Sequence, residues 1–403
     1  MIESWRWFGP YDDITLPEVA QTGAVGVVTA LHDIPYGEVW PRAAIAARRD
    51  LIAGGGAAGG GGAGGGLGLH WNVVESLPVH EDIKLGQGDL PGLFAAYRQS
   101  LANLAAEGIS VVCYNFMPLL DWTRTDLDAP LRGGAQALRF DAARMAAFEV
   151  FMLGRQGAGG DYSADALARG EAWFAASTEA DRAALLDTIM AGLPGAYARY
   201  TVPELRAMLT RYAGFDHAAL RANYARFLAE VVPAAADLGV RLCVHPDDPP
   251  RDILGLPRVV SNAADIDWVL AQQPDTANGL TLCSGSLGTG LANDVPAIAA
   301  RHAGRIHFVH LRNVAHDPDG SFQESAHLEG RVDMVALIRV LLTEERRRAA
   351  AGRADAQIPF RPDHGHRIGS DLGRKTHPGY PLNGRMRGLA ELRGVAAALA
   401  TVI

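Results

Sequence analysis

The chain has 403 residues, 48% of them hydrophobic and 20% charged, a composition that supports a large buried core and excludes disorder over most of its length. A formal net charge of −8 with no long basic run argues against a nucleic-acid surface, yet it leaves room for a small anionic ligand held by a few local arginines. No stretch reaches the roughly 18 uninterrupted apolar residues of a membrane helix. The opening "MIESWRWFGP" lacks a basic n-region and an apolar h-region, and the three cysteines form neither a disulfide framework nor a CxxC pair, so a cytoplasmic protein with reduced thiols is expected.

Short apolar runs bounded by polar or turn residues predict eight buried strands. In chain order they are "SWRWF" (4–8), "AVGVVTAL" (24–31), "HWNVVES" (70–76), "ISVVCYN" (109–115), "VRLCVHP" (240–246), "GLTLC" (279–283), "RIHFVHL" (305–311) and "IPFRPDH" (358–364). Segments of helical period lie between most of them, for example 90–108 and 332–352, and repeated strand-then-helix units of this number predict a closed (β/α)8 barrel. The glycine run 54–66 has neither GxGxxG nor GxxxxGK[ST] spacing, so it reads as a flexible surface loop and not as a phosphate cradle. The interval 126–239 is too long for one crossover. It contains several helical stretches with capping-like starts such as "TEAD" and "TVPEL", and predicts a helical insertion over 126–225 between the fourth and fifth strands, followed by the barrel helix before the fifth. The whole of 1–403 is then one barrel domain, with a separate helical domain as the alternative.

Barrel chemistry sits at the C-terminal mouth, so polar residues that close an apolar strand are the ones to weigh. Four successive strands end in His245, Cys283, His310 and Asp363. Each alone has an ordinary structural explanation, as a satisfied histidine, a small buried thiol or a turn cap. Together at one end of consecutive strands, two imidazoles, a thiolate and a carboxylate make a ligand set for Mn²⁺, Fe²⁺, Co²⁺ or Zn²⁺. Two other readings attach to the "TLCSGSLGTG" segment. Cys283 as a nucleophile would leave both histidines and Asp363 over-supplied, and a phosphate loop would leave the thiol unexplained. The glycines after Cys283 are expected to let substrate approach the metal closely. Arg6 and Arg312 are candidates to hold a carboxylate. Trp7, Asn115, Trp122 and Arg124 are further candidate lining residues, although strand alternation puts the tryptophans beside Arg6 on the face opposite to it. His364 and Tyr380 are candidate proton donors or acceptors.

The stretches "WRWFGP", "GVVTALHDIPYGEVW", "VVESLPVHEDIK", "CYNFMPLLDWTRTDL", "VHPDDPPRDILGLPRVVS", "HFVHLRN" and "RPDHGH" resemble the mannonate dehydratase family of hexuronate degradation, over essentially the whole chain. The resemblance implies a TIM barrel similar to the xylose isomerase-like barrels, using Mn²⁺ or Fe²⁺ to convert D-mannonate to 2-dehydro-3-deoxy-D-gluconate and water. It carries the family's metal ligands onto His245, Cys283, His310 and Asp363, and proton transfer onto His364 and Tyr380. The glycine run is the main departure, expected at the barrel's N-terminal end away from the metal. A homo-oligomer, a dimer, is the expected assembly. The rivals are an aldose isomerase on the same barrel, a cysteine hydrolase and a non-catalytic sugar-acid-binding barrel.

Overall fold

Strands buried on both faces need continuous runs of Val, Ile, Leu and aromatic side chains, and the sequence supplies them eight times. The computed structural model describes residues 1–54, 66–192 and 200–403. Its strands are β1 (Ile2–Arg6), β2 (Gly26–Thr29), β3 (His70–Glu75), β4 (Val111–Tyr114), β5 (Asp126–Pro130), β6 (Gln136–Phe140), β7 (Arg241–Val244), β8 (Asn278–Cys283), β9 (Ile306–His310), β10 (Asn313–His316), β11 (Phe322–Ser325) and β12 (Pro359–Arg361). Eight of them close a parallel barrel in the order β1-β12-β9-β8-β7-β4-β3-β2, so the (β/α)8 expectation holds and every predicted strand is found. Val28, Val73, Val111, Cys113, Cys243 and Phe308 pack inside the barrel, where Thr281 also donates to the Cys113 sulfur at 3.2 Å. The larger core lies between the strands and the outer helices. On the helix Leu90–Ala106, for example, Leu90, Phe94, Tyr97, Leu101 and Leu104 are buried at helical spacing.

The interval after β4 is not helical throughout. It opens with the hairpin β5–β6, which turns at Gly133 and Gly134, both at positive φ. The run "ALRFDAARMAAFEVFML" (137–153) has helical period, yet its helix begins only after β6, where the Asp141 side chain caps Ala142–Ala146. β6 then pairs with β11, and β10 with β11, completing a four-stranded antiparallel sheet in the order β10-β11-β6-β5. Nothing local to 126–140 announces this sheet, because its other half follows β9. The helices Ala164–Ala176, Glu179–Met190 and Val202–Thr210 follow, the last two opened by the capping boxes foreseen at Thr178 and Thr201. The added segment ends before the helix His217–Asp237, whose Tyr224, Phe227, Leu228 and Val231 belong to the barrel core, so the predicted boundary at 225 cuts a barrel helix. A second core of Leu120, Phe140, Met145, Phe148, Ile189, Leu205 and Phe322 joins the insertion to the small sheet.

Residues 55–65 of the glycine run lie outside the described residues. Its flanks are the end of the helix Arg42–Gly54 and the approach to β3, the side of the barrel where strands begin. Among the described residues no helix is long and apolar enough to cross a membrane.

Candidate active site

Register sets the level of the strand-end side chains. Cys283 pairs with His310, His310 with Arg361, and the N–H of His245, just beyond β7, donates to the carbonyl of Tyr114 at the end of β4. One ligand atom from each of His245, Cys283 and His310 falls within 4.8 Å of the others. The Nε2 of His245 and the Nδ1 of His310 are 3.1 Å apart, and Asp363 Oδ2 lies 3.8 Å from both the Cys283 sulfur and His310 Nδ1. Outer partners orient these rings. His245 Nδ1 is 2.7 Å from the Pro246 carbonyl, which assigns it the proton and leaves Nε2 a bare lone pair. His310 Nε2 faces the Glu75 carboxylate at 3.5 Å, leaving Nδ1 toward the cluster. Two imidazole nitrogens, a sulfur and a carboxylate converging in this way fit a divalent transition ion.

Cys283 caps the short helix Ser284–Gly288, and its sulfur accepts from the Ser286 N–H at 3.4 Å and the Ser286 hydroxyl at 3.0 Å. The glycine after it serves a neighbour and not a substrate. A Cβ on Gly285 would stand 2.5 Å from the Arg312 side chain, so the missing side chain makes room for that guanidinium.

Behind the cluster lies a buried charge network. Arg312 binds Asp363 through Nε at 2.7 Å, Glu324 through Nη1 at 2.6 Å, and Asp248. Arg124 pairs with Asp248 at 2.7 Å and with Glu324 at 3.0 Å, and Arg361 grips Glu75 at 2.9 and 2.6 Å while also binding Asp363. Burial alone would raise the Asp248 carboxyl, but Arg124 and Arg312 outweigh it and hold it at about 2. Glu324 is likewise driven well below the usual carboxylate range, burial being overcome by Arg312, His364 and Arg124. Asp363 adopts a left-handed φ of 60°, a conformation a non-glycine residue holds only when its surroundings over-determine it, as these two arginines do.

A cavity of about 320 Å³ opens at the mouth. Arg6, Asn115, Trp122, His245, Arg312, Asp363, His364 and Tyr380 line it, and Cys283 and His310 lie fully buried within hydrogen-bonding or contact distance of those walls. His364 Nδ1 is 3.1 Å from Glu324, and its ring meets Tyr380 edge-on at 5.0 Å. Burial pushes the Tyr380 phenol up to about 12 against the pull of Arg361, so it is a neutral proton donor near pH 7.

Two expected substrate contacts are not brought to the cavity. β1 ends at Arg6, and Trp7 turns into the core with its indole N–H donating to the Ile14 carbonyl at 3.0 Å. Arg124 lies entirely beneath the wall, its guanidinium taken up by Asp248 and Glu324. The cavity also recruits residues the sequence reading passed over, His32, Arg48, Glu75, Asp121 and Asp248. His32 and Glu75 follow or end strands and were open to the strand-end rule, whereas Arg48 reaches the mouth from a helix.

A parallel barrel with an imidazole, thiol and carboxylate cluster beside a neutral phenol and a carboxylate-held imidazole has the fold and side chains of an enzyme site for a small polar substrate. The family model for D-mannonate dehydratase (UxuA) matches residues 1–403. The chain is 54% identical over 400 residues to the mannonate dehydratase of Chromohalobacter salexigens, covering 99% of each chain, and 48% identical over 404 residues to that of a Marinomonas species, covering all of both. The crystal structure of mannonate dehydratase from Streptococcus suis serotype 2 superposes with a TM-score of 0.75 at 32% identity, covering 100% of this chain and 94% of that one. The chain belongs to the D-mannonate dehydratase family, and with it to the carbon–oxygen hydro-lyases.

Proposed function

We propose that the cavity at the barrel mouth binds D-mannonate and that His245, Cys283, His310 and Asp363 hold a Mn²⁺ or Fe²⁺ ion beside it. Family membership carries the reaction, the dehydration of D-mannonate to 2-dehydro-3-deoxy-D-gluconate and water in hexuronate catabolism. The observation that supports the metal is the convergence of three ligand atoms within 4.8 Å, with Asp363 against two of them. A bound ion supplies Lewis acidity for the negative charge that develops beside the substrate carboxylate when the C2 proton leaves.

The chain's own residues divide the proton work. The Nδ1–H of His364 donates to Glu324, so its Nε2 is free to take the C2 proton. Tyr380, kept protonated, donates to the C3 hydroxyl as it departs as water, and the enol that remains tautomerises to the 2-keto acid. Arg6 and Asn115 contact the substrate, while Arg312 acts through the carboxylates it already holds. A cytoplasmic homodimer is the assembly in which we place this activity.

Cys283→Ser tests the ligand set. A hydroxyl is a poor replacement for a thiolate, so metal affinity should fall by at least about 10-fold, the loss seen for weaker outer-shell changes, while thermal unfolding of the metal-free protein stays close to wild type. Retention of both metal and rate would make the thiol a bystander.

A further inference from the structure

The arginines of the mouth fall into two groups. Arg124, Arg312 and Arg361 are each bound to carboxylates. Arg6 and Arg48, both 8% exposed and both lining the cavity, have no carboxylate within ion-pair distance among the described residues. Their hydrogen bonds go to neutral acceptors only. Arg6 donates to the Glu75 carbonyl and, at 3.1 Å, to His32 Nε2, while Arg48 donates to the Ala30 carbonyl at 2.9 Å and the Thr29 hydroxyl at 3.4 Å. Aromatic rings back both guanidinium groups, Phe8 at 4.7 Å from Arg6 and Trp7 at 5.6 Å from Arg48. Because His32 accepts at Nε2, its Nδ1 carries the proton and remains a donor. Burial, then Arg6 and Arg48, keep that ring neutral.

No carboxylate of the described residues contacts either cation: Glu75 attracts Arg6 and Asp33 attracts Arg48 only from beyond ion-pair distance, so an anion entering the cavity can complete both. Their position says where it enters. In the closed order of strands β2 lies four places from β8 and three from β7, so the Arg48–His32 pair stands across the mouth from Cys283 and His245, while Arg6 on β1, which adjoins β12, stands between that pair and Asp363.

We propose that Arg6, His32 and Arg48 form a carboxylate-binding wall on the β1–β2 side of the mouth, across from His245 and Cys283, so that a six-carbon acid spans the mouth with one end on each side. This rests on the proposed placement of D-mannonate in the cavity. The carboxylate at the wall is a second, C6 carboxylate, since the proposed placement keeps the C1 group beside the ion. Chemistry at C2 and C3 beside the cluster directs C6 to the wall, which makes hexaric acids ligands of the site.

The experiment measures KM for D-mannonate and the affinity for D-mannarate, which carries a carboxylate at both ends, in wild-type holoenzyme, Arg48→Gln and Arg48→Lys, with D-mannarate affinity read from thermal shifts that need no turnover. Loss of a charge-assisted contact is expected to weaken binding by roughly 10-fold or more in Arg48→Gln, with Arg48→Lys retaining most of it. Weakened D-mannarate with an unchanged KM for D-mannonate supports the wall at C6; a KM for D-mannonate raised as much as the D-mannarate affinity falls would put C1 there and overturn the spanning arrangement. If Arg48→Gln does not fold, His32→Ala reads the same wall. Unchanged KM and unchanged D-mannarate affinity in the variant that folds overturn the proposal. A wild type that binds D-mannarate without dehydrating D-mannonate would fail the proposed function and leave the wall standing.

Discussion

Asp121 lines the cavity, and burial pushes its carboxyl up to about 6 against Lys84 and its hydrogen bond from Asn115. A folded-state value above the unfolded one of about 3.9 means the folded protein binds this proton more tightly, so stability declines as pH rises from about 4 through 6 and the full penalty is present above that. Asp121→Asn should therefore raise the melting temperature near pH 8 and leave it nearly unchanged near pH 4; an equal shift at both would show that desolvation of the carboxylate is not the cause. Glu324 works through His364. In Glu324→Gln the imidazole keeps a partner but loses the charge that orients its protonated nitrogen, so kcat should fall by about 10-fold or more while KM and metal content change little. A rise in KM alone would relocate Glu324 to substrate binding. The strand-end rule finds His245, Cys283, His310 and Asp363 because each directly follows an apolar run. It cannot separate Arg124 from Arg6, since only the folded chain shows which guanidinium is already taken by carboxylates.

Glu324 rides on β11, so the small antiparallel sheet is part of the site's support. Phe322 on β11 stacks on Phe140 of β6 with ring centroids 5.3 Å apart and planes 6° from parallel, and Arg124 lies over the Phe322 ring at 4.8 Å. Phe322→Ala should cost about 3–5 kcal/mol by leaving a cavity at this seam. Its loss of kcat should resemble that of Glu324→Gln, whereas full activity in the folded variant would show that the sheet does not position His364. The barrel strands were legible because a strand buried on both faces is apolar without interruption. The second sheet was not, because β6 finds its partner β11 only after three barrel strands have intervened, and the run containing "ALRF" continues into a segment of good helical period. Thr178 and Thr201 were legible as caps because a capping box is complete within four residues.

At the scale of the whole molecule, a chain of net charge −8 keeps guanidinium groups available for an acid at its mouth by burying carboxylates against Arg124, Arg312 and Arg361 while Arg6 and Arg48 contact none among the described residues. The barrel brings together residues from its first strand to its last, and the cavity, the strand-end cluster and the His364–Tyr380 pair converge only through closure. Whether the strand-end cluster holds the ion on which dehydration depends is tested most directly by turnover of D-mannonate in chelator-treated protein before and after readdition of metal. Chelation should abolish activity and Mn²⁺ or Fe²⁺ should restore it; full turnover by protein verified to be metal-free would show that no such ion is required.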